Sequence, residues 1–153
     1  MREILFRAKR LDNGEWVEGN LIFSNDAEEG WEAIIIPITN SNMFTKGETK
    51  GNLGFENWHR VDPETIGQFT GLMDKNGVKI FDGDIVRHDN ENLYGIIEKG
   101  QIYWDEEICS WRRTSNGAFH HGIVDSYRIT RNCCYEVIGN IFDNPELLKG
   151  GAE

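Results

Sequence analysis

Asp82 and Asp84 are two carboxylates one residue apart in this 153-residue chain, a pair whose spacing could do chemistry. In an extended backbone, side chains at i and i+2 point to the same side, so the pair could hold a cation or act as general acid and base. The plainer reading is turn chemistry, with Asp82 bonding its own backbone and Gly83 taking the unusual dihedrals. Asp74-x-Asn76-Gly77 opens like a calcium loop but lacks the third ligand position and the distal glutamate, and it reads as a turn. His59, His88, His120 and His121 with Cys109, Cys133 and Cys134 are chemically sufficient for zinc. No two of them stand at C-x2-C or H-x3-H spacing, so neither a metal nor another cofactor is expected. Cys109 falls in an expected strand beside Trp111, where a thiol reads as buried packing, although a Cys-His nucleophile pair distant in the chain stays open. The chain contains no phosphate-binding glycine loop and no nucleophile elbow, and the expectation is a non-enzymatic protein. Of the five tryptophans, Trp104 and Trp111 flank one turn, where they offer either a stacking or peptide-binding surface or aromatic core packing. Gln68 and Thr70 carry polarity that no turn accounts for. These four residues, Gln68, Thr70, Trp104 and Trp111, form the candidate interaction surface.

The elements that must position them are short strands. Val61–His88 is the most densely patterned stretch: Val78–Phe81 and Asp84–Arg87 are β-type runs about Asp82-Gly83, predicting a hairpin, and Lys75-Asn76-Gly77 turns Thr65–Thr70 back towards Val78. Upstream, Glu3–Lys9 alternates with Ile4, Phe6 and Ala8 on one face and Leu5 as the exception, while Trp16–Phe23 sets Val17, Leu21 and Phe23 on a shared face across Gly19. Asp12-Asn13-Gly14 joins these two strands. Glu32–Ile38 is continuously apolar and predicts a strand covered on both faces, with Pro37 at its end. Thr39–Asn57 is a long polar passage, read as mobile or ordered by a partner, or else as a substrate lid. Downstream, Leu93–Glu98 and Gln101–Asp105 are strands about Lys99-Gly100, followed by Ile108–Arg113, in which Cys109 and Trp111 share a face. A second irregular passage runs from Thr114 to Ser126, with a weak strand from Tyr127 to Thr130. Cys134–Phe142 is a strong strand, and Asp143-Asn144-Pro145-Glu146 starts a short helix that Gly150-Gly151 stops. The fold expected is mainly β and antiparallel, about 9 to 11 short strands in a barrel-like arrangement with long polar loops and a short C-terminal helix.

Composition bounds the context. Twenty-six acidic residues against sixteen basic ones give a net charge of -10 and a pI near 4.9. Such a field repels phosphate backbones and anionic membrane surfaces. Three cysteines are too few and too oddly placed for a secreted disulfide framework. No apolar run reaches signal or membrane-span length, so a cytoplasmic protein is expected. The length suits a single domain over 1–153, or an N-terminal β lobe over 1–60 followed by a C-terminal β-barrel over 61–149.

Several of these runs carry more than propensity. Pro63-Glu64-Thr65-Ile66-Gly67-Gln68-Phe69-Thr70-Gly71-Leu72, then Asp74-Lys75-Asn76-Gly77 and Ile80-Phe81-Asp82-Gly83-Asp84-Ile85-Val86, resemble the YopX family of phage and prophage proteins. The closing segment from Tyr135 to Leu148 is similar to that family's C-terminal signature, and Arg2-Glu3-Ile4 with Phe6-Arg7-Ala8 to its start. Phe69 stands where the family often has Tyr, and Asp82 where Glu is common. The resemblance implies a β-rich, barrel-like fold and a phage or prophage origin in bacteria. It brings no reaction and no catalytic residue.

The expected function is that of a phage or prophage accessory protein, binding a protein partner or assembling with itself. The alternative is an acidic mimic of nucleic acid that interferes with a host nucleic-acid-binding protein. Direct nucleic-acid binding has only Arg87, Arg112, Arg113, Arg128 and Arg131 as a footprint. An enzyme comes last, because no reactive constellation is visible.

Overall fold

The computed structural model describes residues 3–39, 43–45, 53–88, 98–114, 121–122 and 135–148. These residues contain thirteen strands: β1 (Phe6–Lys9), β2 (Trp16–Phe23), β3 (Ala33–Ile36), β4 (Met43–Thr45), β5 (Leu53–Phe55), β6 (His59–Arg60), β7 (Gly67–Met73), β8 (Lys79–Phe81), β9 (Asp84–His88), β10 (Glu98–Asp105), β11 (Ser110–Arg113), β12 (His121–Gly122) and β13 (Tyr135–Asn140). The only other regular elements among them are two 3-10 turns, Pro63–Thr65 and Pro145–Leu148. Contacts divide the chain into two compact units, Met1–Gln68 and Phe69–Glu153.

In the first unit β1 lies between β2 and the start of β7, with Phe6 opposite Gly19 on one side and opposite Gln68 on the other. β2 pairs with β3 and β3 with β6, all antiparallel. The turn joining β1 to β2 forms because the Asn13 side chain accepts the Glu15 N–H at 3.0 Å and Arg10 N–H donates to the Glu15 carbonyl at 2.9 Å. Ala8, Ala33, Ile35 and Val61 make the core, with Phe6, Val17, Leu21 and Ile66 packed against it. The continuous apolarity of β3 is accounted for, since Ala33, Ile35 and Ile36 are all buried. One expectation is corrected: Leu5 is buried while Ile4 is exposed, because the alternation slips by one residue just before β1. Val17 and Leu21 are half-buried against the core, and Phe23 ends β2 half exposed. Within the long polar passage, β4 and β5 pair in their own small antiparallel ladder, Met43 opposite Phe55; the rest of that passage lies outside the described residues.

The second unit begins with β7 folding onto β8 through the Lys75-Asn76-Gly77 turn, with a bulge between the Phe69–Phe81 and Met73–Lys79 pairs. The predicted β8–β9 hairpin does not form as a ladder. β8 pairs with β7, whereas β9 enters a different sheet as its central strand, flanked by β10 and β13 in the order β12-β11-β10-β9-β13. Gly83, at φ +81°, serves both neighbours: its N–H donates to the Ile102 carbonyl and its carbonyl accepts from Ile141 N–H, each at 2.9 Å. β10 is a single strand, not two strands about Lys99-Gly100. Its first half pairs with β9 and its second half with β11. Gly100 stands where the Thr114 carbonyl presses so close that no Cβ fits, and the glycine therefore permits a backbone crossing instead of a turn. Ile80, Val86, Ile102 and Trp111 form this unit's core, with Leu72, Tyr135 and Val137 against it.

The mainly β, antiparallel architecture holds, but no closed barrel is found among the described residues. β12 and β13 end the five-stranded sheet without pairing to each other. The outer edge of β13 is met by the Asp74-Lys75 turn, not by a closing strand: Lys75 N–H donates to the Tyr135 carbonyl at 2.9 Å and Val137 N–H to the Asp74 carboxylate at 3.1 Å. The C-terminal helix is likewise corrected to the 3-10 turn Pro145–Leu148. Asn140 holds the chain before it in a tight turn, its side-chain oxygen accepting from Phe142 N–H at 3.0 Å and Asp143 N–H at 2.9 Å. Too few residues remain before Gly150 to nucleate an α-helix. The expected runs Leu93–Ile97, Ser115–His120 and Tyr127–Thr130, and the pair Cys133-Cys134, lie outside the described residues.

Candidate functional site

Carboxylates are the residues most able to do chemistry, and three of them in the second unit, Asp74, Asp84 and Glu136, are committed to the fold. Asp74 is 5% exposed. One of its oxygens accepts from Asn76 N–H at 2.7 Å and Val78 N–H at 2.9 Å; the other accepts from Val137 N–H. Burial pushes this carboxyl up, but the backbone donors of Val78, Val137 and Asn76, with the charge of Lys75, outweigh it and hold the group below its ordinary value. The Asp74 loop is thus a turn, as its sequence implies, and it also clamps β13. Asp84, 1% exposed, accepts from Phe81 N–H at 2.8 Å, so its carboxylate spans the Asp82-Gly83 turn. Glu136 lies between two cations, Lys75 Nζ at 2.9 Å and Arg87 Nη2 at 2.5 Å, which hold it below the usual carboxylate range. Among the described residues no group of three or more His, Cys, Asp and Glu side chains is disposed to hold a metal ion.

The four residues singled out from the sequence part company. Thr70 is buried, its hydroxyl donating to the Ile80 carbonyl at 2.8 Å and accepting from Leu72 N–H at 3.1 Å, which makes it a strut of the β7–β8 hairpin. Gln68 is half-buried on β7 opposite Phe6. Trp104 and Trp111 do meet. They face each other directly across β10 and β11, and their rings touch edge to face at 5.1 Å and 69°. Trp111 closes the core, and Trp104, 41% exposed, is the solvent-facing member. Cys109 is not in the strand: it is exposed in the turn between β10 and β11 at φ +49°, a left-handed conformation that moves its side chain away from Trp111's face. Asp105 organises this turn by accepting from Glu107 N–H at 3.1 Å and Ile108 N–H at 3.4 Å. The tip presents exposed Glu106, Glu107 and Ile108, the last 53% accessible.

A second aromatic surface, in the first unit, escaped sequence reading. Trp31 and Trp58 lie 5.6 Å apart with rings tilted by 40°, both nearly half exposed. Arg60 lays its guanidinium over Trp31 at 5.0 Å, and Leu11, also exposed, borders it through the bond from Leu11 N–H to the Arg60 carbonyl at 3.0 Å. Arg60 has no carboxylate partner among the described residues, although the chain is strongly acidic. Trp58 and Arg60 at i and i+2 carried a faint signal of a shared side, but nothing local announces Trp31 as their neighbour. What such a surface can do is bind: aromatic faces offer apolar area, and a stacked guanidinium keeps its edge free for a planar anion.

Over residues 5–149 the chain matches the family described as YopX protein, and it belongs to that family. It is similar to the crystal structure of protein EF1440 from Enterococcus faecalis, with 28% identity and a TM-score of 0.60 over 97% of this chain and 99% of that one. No curated protein matches it. Among the described residues, no helix is long and apolar enough to cross a membrane.

Proposed function

We propose that this protein is a non-enzymatic accessory module of phage or prophage origin, acting in the bacterial cytoplasm by docking to a protein partner or to itself. The observation that carries the reading is the Trp31–Trp58–Arg60 surface: two large aromatic rings left half in water beside a cation that has no carboxylate partner among the described residues. Tryptophan and arginine are the side chains that most often dominate protein interfaces when a partner covers them. The test is size exclusion with light scattering, together with pull-down from host lysate, comparing the full chain with its Trp31→Ala/Trp58→Ala variant. Loss of self-association or of a retained protein in the variant is the expected result; a wild type that is strictly monomeric and retains nothing overturns the reading.

The acidic-mimic alternative needs carboxylates gathered on one face. Here 12 of the 26 acidic residues fall in Met1–Gln68 and 14 in Phe69–Glu153, and Asp74, Asp84 and Glu136 are engaged with backbone or cations. The arginines do not favour a nucleic-acid footprint either: Arg87 is on Glu136, Arg112 lies 3.4 Å from Asp105, and Arg113 is buried. Arg128 and Arg131 lie outside the described residues.

A further inference from the structure

We propose that copies of this chain assemble head to tail, the Glu106-Glu107-Ile108 turn of one copy docking on the Trp31–Trp58–Arg60 surface of the next. The inference rests on the protein-docking reading above and names the occupant.

Each side has what the other lacks. Arg60 is an exposed cation with no carboxylate partner among the described residues, and its face is already stacked on Trp31, so the edge of the fork is what remains for an anion. Trp58 and Leu11 extend that cation into an apolar shelf. At the β10–β11 tip, Glu106 and Glu107 are exposed carboxylates without a cation among the described residues, whereas the neighbouring Asp105 is paired with Arg112. Ile108 stands directly after them, 53% accessible. A carboxylate followed by an aliphatic side chain is the ligand chemistry that an arginine beside two tryptophans accommodates. The tip is also pre-shaped, because Asp105 holds the N–H groups of Glu107 and Ile108, so little ordering entropy is lost on docking. Two different patches meeting make a heterologous contact, which repeats into rings or filaments instead of closing as a two-fold dimer. A single turn covers less than a standard interface of about 1,600 Å², so the association is weak, with Kd on the order of 10 μM to 1 mM, and salt-sensitive.

Sedimentation velocity of the full chain tests this with two variants, Arg60→Glu and the pair Glu106→Lys/Glu107→Lys. Wild type is expected to gain mass with concentration. Each variant alone should weaken association by about 10-fold or more, since each loses one of the two complementary patches and places like charges together. Mixed in equal amounts, the variants should regain association, because the native tip of Arg60→Glu meets the native Arg60 surface of the other variant and the two reversed patches again carry opposite charges. All the substituted residues are exposed, and melting temperatures should match wild type. A wild type that stays monomeric throughout overturns the assembly; the same pull-down lost in Trp58→Ala would then show the surface serving a different protein. Variants that associate as wild type does overturn this pair of patches while leaving self-docking intact, and a mixture no better than either variant overturns the head-to-tail arrangement.

Discussion

Asp74 concentrates more structural consequence than any other single side chain described in the second unit. Its carboxylate takes three backbone N–H groups, two within its own turn and one on β13, a strand it does not neighbour in sequence. Because its folded-state pKa lies below the ordinary 3.8, the stabilisation is present at pH values above that figure and is lost as the pH falls through the lower folded-state value. Acid unfolding followed by near-ultraviolet circular dichroism should therefore begin below about pH 4 in wild type. Asp74→Ala, which leaves three N–H donors unmet, should cost about 3 kcal/mol at neutral pH and flatten that acid limb, as measured by urea titration across pH. Unchanged acid sensitivity in the variant would assign the transition to other carboxylates. The tryptophan pair separates a core role from a surface role at the same scale. Trp111→Ala should cost about 3 to 5 kcal/mol, whereas Trp104→Ala, removing the exposed half of an edge-to-face contact, should cost about 1 kcal/mol. Thermal melts of both decide it.

Strand existence was readable from alternation and turn residues, but strand partnership was not. Asp82-Gly83 was correctly a turn, yet turn chemistry specifies local dihedrals and not which strand lies alongside the next residue; β9 pairs with β10 and β13, and Gly83 bonds to both sides. Gly100 shows the converse. A glycine within an apolar run reads as punctuation, but here it marks a close approach to the Thr114 carbonyl, a contact with a residue that local pattern does not connect to it. Gly100→Ala should consequently destabilise the second unit by about 2 kcal/mol or more, a loss far beyond the slight gain expected if the glycine were only a flexible link. Chemical denaturation of the variant distinguishes the two. The candidate surface was legible in the same partial way. Trp104 and Trp111 flank a turn and so meet by register, while Trp31 and Trp58 come together only through the pairing of β2, β3 and β6, which no periodicity reveals. Cys109 was misplaced because the pattern extended the strand over a residue that the turn holds at positive φ.

For the molecule as a whole, the account is of a YopX-family chain whose regular elements among the described residues are strands and two 3-10 turns, with internal carboxylates tied into structure and Trp31, Trp58 and Trp104 left partly exposed. Its central claim is that the Trp31–Trp58–Arg60 surface exists to be covered. Sedimentation equilibrium of the full chain at rising concentration, wild type beside Trp58→Ala, tests that claim most directly. The account predicts an apparent mass that climbs above 17.6 kDa for wild type and stays at 17.6 kDa for the variant, which should remain folded and lose about 1 kcal/mol of stability with the Trp31 contact. Both proteins climbing alike would contradict it, as would both remaining at 17.6 kDa with no lysate protein retained by wild type.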